Sequence, residues 1–211
     1  MKIISTNLGK PQTVNWNDKE VLTGIFKYPV DEPIYLGETD VKDDHVLDRR
    51  YHGGIYKACY LYGANHYPHW KGLYPDLNWD WGMFGENLTV DTCDEENTLI
   101  GSIYQIGTAK VQVSQPRQPC FKLGIRFNNQ QVLKNFINDT RSGIYFRVLE
   151  EGMAQQGDEF QLIEEDASGI SVAQIFQILY KKLDDPQVIQ KAVEHEVLPD
   201  GLREYIRGLV G

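Results

Sequence analysis

The sequence predicts a mainly β protein with additional α-helices, in which a β domain is followed by a small unit of three helices. From residue 1 to about 165, short apolar stretches are broken by Gly, Pro, Asn and Asp, and several show period-two alternation. The polar segment 164–169 ends this pattern, and beyond it apolar residues recur at helical spacing. We therefore expect two units, 1–165 and 166–211, and a chain long enough to bury one ordinary core.

Alternating segments predict the strands of the β domain. Apolar and polar residues alternate over 109–113 and again over 144–149, as in strands with one buried face. A glycine-containing turn leads into a third strand at about 160–163. Two helices are expected to interrupt the strands, one over about 56–66 and one over 132–137.

The C-terminal segment is predicted to form three short helices. Ser171, with Gln174 three positions later, has the pattern of a capping box. The Asp-Pro pair at 185–186 supplies the N-cap and first-turn proline of the next helix. The segment 198–201 opens a last helix that ends near Gly208. Because so few residues fold poorly alone, we expect these helices to pack on one another and on the β domain.

Composition excludes several classes of protein. The net charge of −9 at pH 7 disfavours a general nucleic-acid surface, although a local basic pocket remains compatible with it. No apolar run approaches the roughly 20 residues that span a bilayer, and the start of the chain turns polar too early for a signal peptide. The three cysteines, Cys59, Cys93 and Cys120, are an odd number without close pairing, which suits a reducing compartment. We therefore expect a cytoplasmic protein without a membrane or nucleic-acid partner.

Cys120 is the first candidate functional residue. Pro116 and Pro119 restrict the backbone ahead of it, so we expect the chain to leave the strand at 109–113 as a stiff, extended loop. Arg117 and Lys122 flank the thiol, and nearby positive charge favours the thiolate needed by a nucleophile or a soft metal ligand. The residues alone also allow an ordinary buried cysteine at a strand end.

Two glycine-containing turns are further candidates. His52, Gly53, Gly54 and Lys57 precede a helical stretch, where successive backbone N–H groups and a lysine can bind an anion. A plain turn stabilised by His52 is the alternative. Asn87 lies in the second turn, where its amide offers a donor and an acceptor to a planar ligand or simply favours a β-turn.

Other features favour structural interpretations. His66 and His69 have the spacing of a zinc pair, but Pro68 interrupts the helix that would align them and no third ligand is apparent. Cys59 is expected in the core, and acidic neighbours are expected to raise the pKa of Cys93. A cluster of aromatic residues either forms a stacking wall for planar bases or, more commonly, a packed loop. Its members are Trp70, Tyr74, Trp79, Trp81 and Phe84.

Four motifs in order resemble the MOSC domain family, the molybdenum cofactor sulfurase C-terminal-type domains. The motifs are His52-Gly-Gly-x-x-Lys-Ala, Gly85-Glu-Asn-Leu, Gln115-Pro-Arg-x-Pro-Cys-x-Lys-Leu and Gly143-Ile-Tyr-x-Arg-Val-Leu, followed by Gly157-Asp. Ile55-Tyr56 replaces the proline-aspartate that usually follows the paired glycines. The helical tail is similar to the three-helix extension of the YiiM-like branch, so the resemblance covers nearly the whole chain.

The resemblance implies a β-barrel-like domain whose cleft holds the molybdopterin form of the molybdenum cofactor. It makes Cys120 the molybdenum ligand and the catalytic residue. It also implies reduction of N-hydroxylated compounds, including N-hydroxylated bases and amidoximes, with electrons from a redox partner protein, as in the mitochondrial amidoxime-reducing component. The implied cofactor-binding residues are His52, Gly53, Gly54, Lys57, Asn87, Arg117, Gln118, Lys122 and Arg147.

Within this set, Arg117 and Lys57 are candidates for the cofactor phosphate, and His52, Asn87 and Gln118 for hydrogen bonds to pterin or substrate. Arg147 either completes the basic pocket or faces solvent on its strand. Two other functions remain open. In one, Cys120 carries sulfur as a persulfide, as a sulfur or cofactor carrier beside a pyridoxal-phosphate protein. In the other, the cleft serves a non-catalytic binding module.

Overall fold

The computed structural model describes residues 1–47 and 53–210, which form twelve strands and six α-helices. The strands are β1 (Ile3–Gly9), β2 (Gln12–Trp16), β3 (Lys19–Thr23), β4 (Lys27–Val30), β5 (Ile34–Leu36), β6 (Cys59–Gly63), β7 (Leu88–Val90), β8 (Ile103–Ile106), β9 (Ala109–Pro116), β10 (Ile144–Glu150), β11 (Gly152–Ala154) and β12 (Gln161–Glu164). The helices are α1 (Tyr67–Leu73), α2 (Phe121–Arg126), α3 (Gln131–Ile137), α4 (Val172–Leu179), α5 (Pro186–Glu194) and α6 (Asp200–Val210). The single-turn 3-10 helices Ile55–Lys57 and Ala64–His66 flank β6.

Eight strands form the main sheet, in the order β12-β8-β9-β10-β6-β7-β1-β4. Neighbouring strands are antiparallel except β6 and β7, which are parallel. The edge strands β12 and β4 do not pair with each other within the described residues, so the predicted barrel-like sheet is not a closed barrel. Backbone hydrogen bonds nevertheless tie the start of β1 to the segment before β12, with Ile3 N donating to Asp158 O at 2.9 Å. The mainly β fold class with additional helices is confirmed.

The helix predicted over 56–66 is wrong. The central part of that segment is β6, which lies between β10 and β7, and all five of its residues are buried. A strand covered on both faces shows no polar alternation, so its short apolar run is easily mistaken for a buried helix. Cys59 is in the core as expected, but it lies on a strand.

The other predicted elements are confirmed. The strands at 109–113, 144–149 and about 160–163 correspond to β9, β10 and β12, and the helix over 132–137 corresponds to α3. Ser171 and Gln174 form both hydrogen bonds of a capping box at α4. Asp185 caps α5 by accepting from two backbone N–H groups.

The C-terminal helices share the core of the β domain. Ile175 of α4 and Ile189 of α5 belong to the same buried cluster as Val111 of the main sheet. Backbone hydrogen bonds join the two parts, among them Ala173 N to Glu95 O at 2.9 Å. The three helices therefore pack on the sheet as expected, and the boundary at 165/166 stays a prediction about sequence units.

A second cluster of buried residues is mainly aromatic. Trp70 and Phe84 are fully buried, and their ring centroids lie 5.5 Å apart. Tyr74, Trp79 and Trp81 pack against this cluster and are partly buried. Trp70 lies on α1 rather than in a loop, and it packs with Phe84 in the core. Among the described residues, no helix has the length and apolar character needed to cross a membrane.

Candidate functional site

Cys120 lies where β9 leaves the main sheet. Near that end, the pairing of β9 with β10 shifts register, and Ser114 has no residue opposite it. The Ser114 hydroxyl lies 2.6 Å from the Tyr56 carbonyl oxygen and 2.9 Å from that of Tyr145. Such a bulge bends a strand and redirects the residues after it. Here the hydrogen bond from Ser114 to Tyr56 holds the 55–57 turn against the end of β9 that leads to Cys120.

The loop after β9 ends in a helix cap. Residues 117–120 form no regular structure, and Cys120 is the extended N-cap residue of α2. Its carbonyl oxygen accepts a hydrogen bond from Leu123 N at 2.9 Å. The Cys120 side chain is neither buried nor fully exposed, whereas Cys59 and Cys93 are buried. Of the three thiols, Cys120 is therefore the accessible one.

Arg117 is held inside the protein beside Cys120. Its side chain is buried, and a guanidinium N–H donates to the Phe84 carbonyl oxygen. The guanidinium carbon lies 5.0 Å from the centre of the Tyr60 ring and 5.8 Å from that of Phe136. No carboxylate among the described residues pairs with Arg117. Removing a cation from water costs free energy, and contacts with neutral groups offset only a small part of that cost. A bound anion would offset much more of it.

A buried carboxyl group shapes the turn that supplies the Phe84 carbonyl. Glu86 is fully buried and accepts hydrogen bonds from Gly82 N and Phe84 N, each at 3.0 Å. The hydroxyls of Tyr67 and Thr89 donate to it at 2.5 and 3.0 Å. Burial raises the pKa of the Glu86 carboxyl, although these hydrogen bonds oppose the rise. Glu86 thus fixes the turn on which Arg117 depends.

Six of the ten predicted site residues line one cleft. Cys120, Arg117, Lys57, Lys122 and Asn87 all line it, as does Gly53. Its charged lining also includes Lys27 and Asp44. Among the described residues of this lining, four cations stand against one carboxylate, so this part of the cleft is positive although the net charge of the protein is −9.

Asp44 connects the cleft wall to two neighbouring segments. Its carboxylate accepts hydrogen bonds from Lys27 Nζ at 2.5 Å, Asn87 Nδ2 at 3.0 Å and Gly9 N at 2.9 Å. Burial by itself raises the pKa of Asp44, but the Lys27 charge and these hydrogen bonds outweigh it, and the pKa is lowered. The Asn87 Oδ1 atom also accepts from Tyr60 N at 3.3 Å. Asn87 therefore uses both ends of its amide within the protein, while its role toward a ligand stays a prediction.

Two titratable groups line the cleft together with Cys120 and are close enough to interact with it electrostatically. Burial lowers the pKa of the Lys57 ammonium, and the neighbouring Cys120 thiolate acts in the opposite direction. Burial raises the pKa of Tyr145 to about 12, with Arg117 opposing the rise and Cys120 adding to it. Lys57 Nζ lies 5.9 Å from the centre of the Tyr145 ring. The cleft thus offers a protonated phenol and an ammonium that releases its proton more readily than usual.

The other predicted residues lie outside this cleft. Gln118 and Gly54 line an adjacent groove, and Arg147 stacks over the Tyr56 ring at 5.7 Å without lining either cavity. Gly53 and Gly54 have φ angles of +79° and +80°, a conformation that favours glycine. His52 lies outside the described residues, so its predicted role stays untested.

Sequence reasoning missed several residues of the cleft wall. Lys27, Asp44 and Tyr60 line it, but none of them carried a recognisable motif. Lys27 and Asp44 are separated by 17 residues, so no local pattern reveals their ion pair. Tyr145 is different, because it lies in the Gly-Ile-Tyr motif that supports the family resemblance.

A second polar cluster lies away from the cleft. Ligand atoms of His66, Cys93 and Glu95 fall within 4.8 Å of one another, and all three residues are buried. His66 Nε2 lies 3.0 and 3.1 Å from the Glu95 carboxylate oxygens, and Gly143 N donates to that carboxylate at 2.8 Å. Burial and the Glu95 charge raise the pKa of Cys93, so the predicted direction is confirmed. His69 instead lies 3.3 Å from Asp139. The cluster is a hydrogen-bonded junction between segments, and its thiol is protonated.

Comparison with known proteins identifies the family. The model described as the MOSC domain matches residues 48–161, more than half of the chain. The chain belongs to the MOSC domain family. A second model, the YiiM-like 3-alpha helix domain, matches residues 170–209. Both families suggested by the sequence motifs are therefore confirmed.

Three similar proteins extend this assignment of a MOSC domain. The crystal structure of YiiM from Geobacillus stearothermophilus matches with a TM-score of 0.82 and 34% identity, over 100% of this chain and 99% of that one. The uncharacterized protein YflK of Bacillus subtilis strain 168 is 37% identical over 203 residues, 95% of this chain and 90% of its own. A protein of Gibberella moniliformis named only as a reductase is 36% identical over 165 residues, 76% of this chain but 29% of its own.

Proposed function

We propose that this MOSC protein binds a molybdenum cofactor in the cleft through Cys120 and reduces N-hydroxylated compounds, such as N-hydroxylated bases and amidoximes. The observation that carries the proposal is the buried Arg117, which lies beside an accessible thiol and has no carboxylate partner among the described residues. The membership of the MOSC family and the relative named as a reductase support the same class of chemistry.

The residues of the cleft fit such a cofactor in charge and in donor type. Molybdopterin carries a phosphate, which the cations of Arg117, Lys57 and Lys122 suit. Molybdenum takes soft sulfur ligands, and the Cys120 thiol is the accessible one in the chain. When bound, the cofactor supplies oxygen-atom transfer coupled to two-electron chemistry at this position.

The protein's own groups bind, orient and donate protons. Reduction of an N–OH group to N–H consumes two electrons and two protons and releases water. We assign the electrons to a redox partner protein, one proton to the Lys57 ammonium, which lines the cleft together with Cys120, and the second proton to solvent at the open cleft. Tyr145 stays protonated well above neutral pH and lines the same cleft, where its hydroxyl donates a hydrogen bond. A cytoplasmic location stays part of this proposal.

Metal content of the purified protein tests the cofactor assignment. Protein made in cells with an intact cofactor pathway is expected to hold molybdenum near one per chain. Cys120→Ser should lose it, while Cys93→Ala, which removes a buried thiol outside the cleft, should keep it. Molybdenum that persists in Cys120→Ser contradicts the ligand assignment.

Activity tests the reductase assignment separately. Loaded protein with a chemical reductant should convert an amidoxime to its amidine and an N-hydroxylated base to the free base. Fully loaded protein without turnover contradicts a reductase. Release of thiocyanate from Cys120 on cyanide treatment would then identify a persulfide and favour the carrier function.

A further inference from the structure

A groove continues from the cleft toward the C-terminal helices. One wall is the 53–57 turn, and the other is the start and middle of α6, including Leu202 and Tyr205. The groove shares Gly53 and Lys57 with the cleft. We propose that it holds the planar ring of the substrate, and that Tyr205 and Gln118 determine which N-hydroxylated compounds are accepted. This inference rests on the proposed function.

Because the groove continues into the cleft, a ligand bound in the groove lies next to the Cys120 thiol. Gln118 lines the groove and lies two residues before Cys120, which lines the cleft. Lys57, the proposed proton donor, lines both cavities. A ring in the groove can therefore present a substituent to the cleft without entering it.

The lining of the groove suits a neutral aromatic ring. Tyr205 and Ile55 are 52% and 40% exposed, so both offer apolar surface to a ligand. Gln118 is exposed, and its amide makes no hydrogen bond within the described part of the chain, so it is available to the polar edge of a heterocycle. Flat rings with polar edges bind well between aromatic surface and amide groups.

Charge distinguishes the groove from the cleft. Lys57 is the one cation among the described residues that line the groove, whereas the cleft has Lys27, Arg117 and Lys122 as well. A phosphate should therefore bind more tightly in the cleft. An uncharged ring gains nothing from the additional cations, so it binds as well in the groove. This division gives the cofactor and the substrate separate compartments.

The wall formed by α6 is tied to the cleft through aromatic packing. Tyr205 is close enough to Tyr180 to raise its pKa, although burial is the larger cause. Tyr180 packs on Phe176 with ring centroids 4.8 Å apart, and Phe176 lies 6.1 Å from Phe136. Phe136 in turn lies beneath the Arg117 guanidinium. The three-helix unit is thus held in a defined position relative to Arg117.

Steady-state kinetics of Tyr205 variants test the substrate site. For an N-hydroxylated purine base, Tyr205→Ala should raise KM about tenfold and leave kcat within about twofold, because base stacking is lost. A small aliphatic amidoxime, which cannot stack, should show no change, and Tyr205→Phe should keep the wild-type values. The matched control is Tyr28→Ala, which removes an exposed tyrosine that lines neither cavity. Equal losses for both substrates, or none for either, would overturn the inference.

Direct binding separates this inference from the proposed function. Calorimetry with the free purine base and molybdenum-loaded protein should show binding that weakens several-fold in Tyr205→Ala and in Gln118→Ala. If loaded protein reduces no N-hydroxylated compound yet binds the base in this Tyr205-dependent way, the reductase proposal fails and the ring site stands. If N-hydroxylated compounds are reduced but both variants bind the purine base as tightly as the wild type, only the inference of a ring site is overturned.

Discussion

The Lys27 ammonium lies 2.5 Å from the Asp44 carboxylate, and the two side chains are only 9% and 2% exposed. Their pairing joins the start of β4 to the loop before the 53–57 turn, on the wall of the cleft. Removing one partner of such a pair leaves the other buried without compensation.

Replacing Asp44 by Asn should therefore lower the free energy of unfolding by about 3 kcal/mol at neutral pH. The pKa of Asp44 is lowered in the folded state, so its contribution is present above its ordinary value of 3.8 and is lost as the pH falls through the folded value. In urea denaturation, the difference in the free energy of unfolding between Asp44→Asn and the wild type should therefore become smaller as the pH is lowered. Glu150→Gln, in the more exposed Lys110–Glu150 pair, should change stability by less than about 1 kcal/mol. Equal effects of the two substitutions would contradict the prediction.

Replacing Glu86 by Gln should destabilise the protein by about 2 kcal/mol at pH 4, because the amide brings two N–H donors, where the protonated carboxyl has one O–H, among groups that already donate to this side chain. Burial raises the pKa of Glu86, so its stabilising contribution is full below the ordinary value of 4.5 and declines as the pH rises through the folded value. In thermal melts from pH 4 upward, the difference in melting temperature between Glu86→Gln and the wild type should become smaller as the pH rises. A difference that widens with pH would refute the direction given for the pKa.

Replacing Arg117 by Met should weaken cofactor retention strongly but change the stability of the cofactor-free protein little. Loss of the cation should reduce retained molybdenum during dialysis at least tenfold, since one charge-assisted contact to the phosphate disappears. The stability of the cofactor-free protein should change by no more than about 1 kcal/mol, because the substitution also removes a buried charge that no carboxylate of the described residues pairs with. Arg126→Met changes an arginine that stacks on Tyr28 outside the cleft and should keep the cofactor. Unchanged retention in Arg117→Met would show that the phosphate binds elsewhere.

Replacing Gly54 by Ala should destabilise the protein by about 2 kcal/mol, since φ of 80° with ψ of 172° is almost restricted to glycine. No atom lies within 4 Å of the added methyl group, so the effect comes from backbone strain. Gly208→Ala also places a methyl group in open space, but on a helix, and should stabilise by about 0.5 kcal/mol. Chemical denaturation of the two variants distinguishes strain from crowding, and a Gly54→Ala variant as stable as the wild type would argue against a positive φ at this turn.

Local sequence signals predicted much of the fold. Caps such as Ser171 and strands with one buried face, such as β9, are encoded by neighbouring residues, so they are visible without tertiary information. β6 was missed because both of its faces are covered by the fold. In the site, motifs led to Cys120 and Arg117, whereas Lys27 and the supporting role of Glu86 depend on contacts between distant segments. Such contacts follow from the topology and leave no local pattern.

The hydrogen bonds between the start of β1 and the segment 157–160 also constrain the order of folding. The end of β1 pairs with the nearby β4, but its start acquires its partners only when β7 and then the residues beyond 156 have been synthesised. Closing a loop of this length is slow compared with forming a hairpin such as β2–β3. During synthesis on the ribosome, the hairpin should therefore appear early, and the start of β1 should become protected from hydrogen exchange later than its end, which pairs with β4.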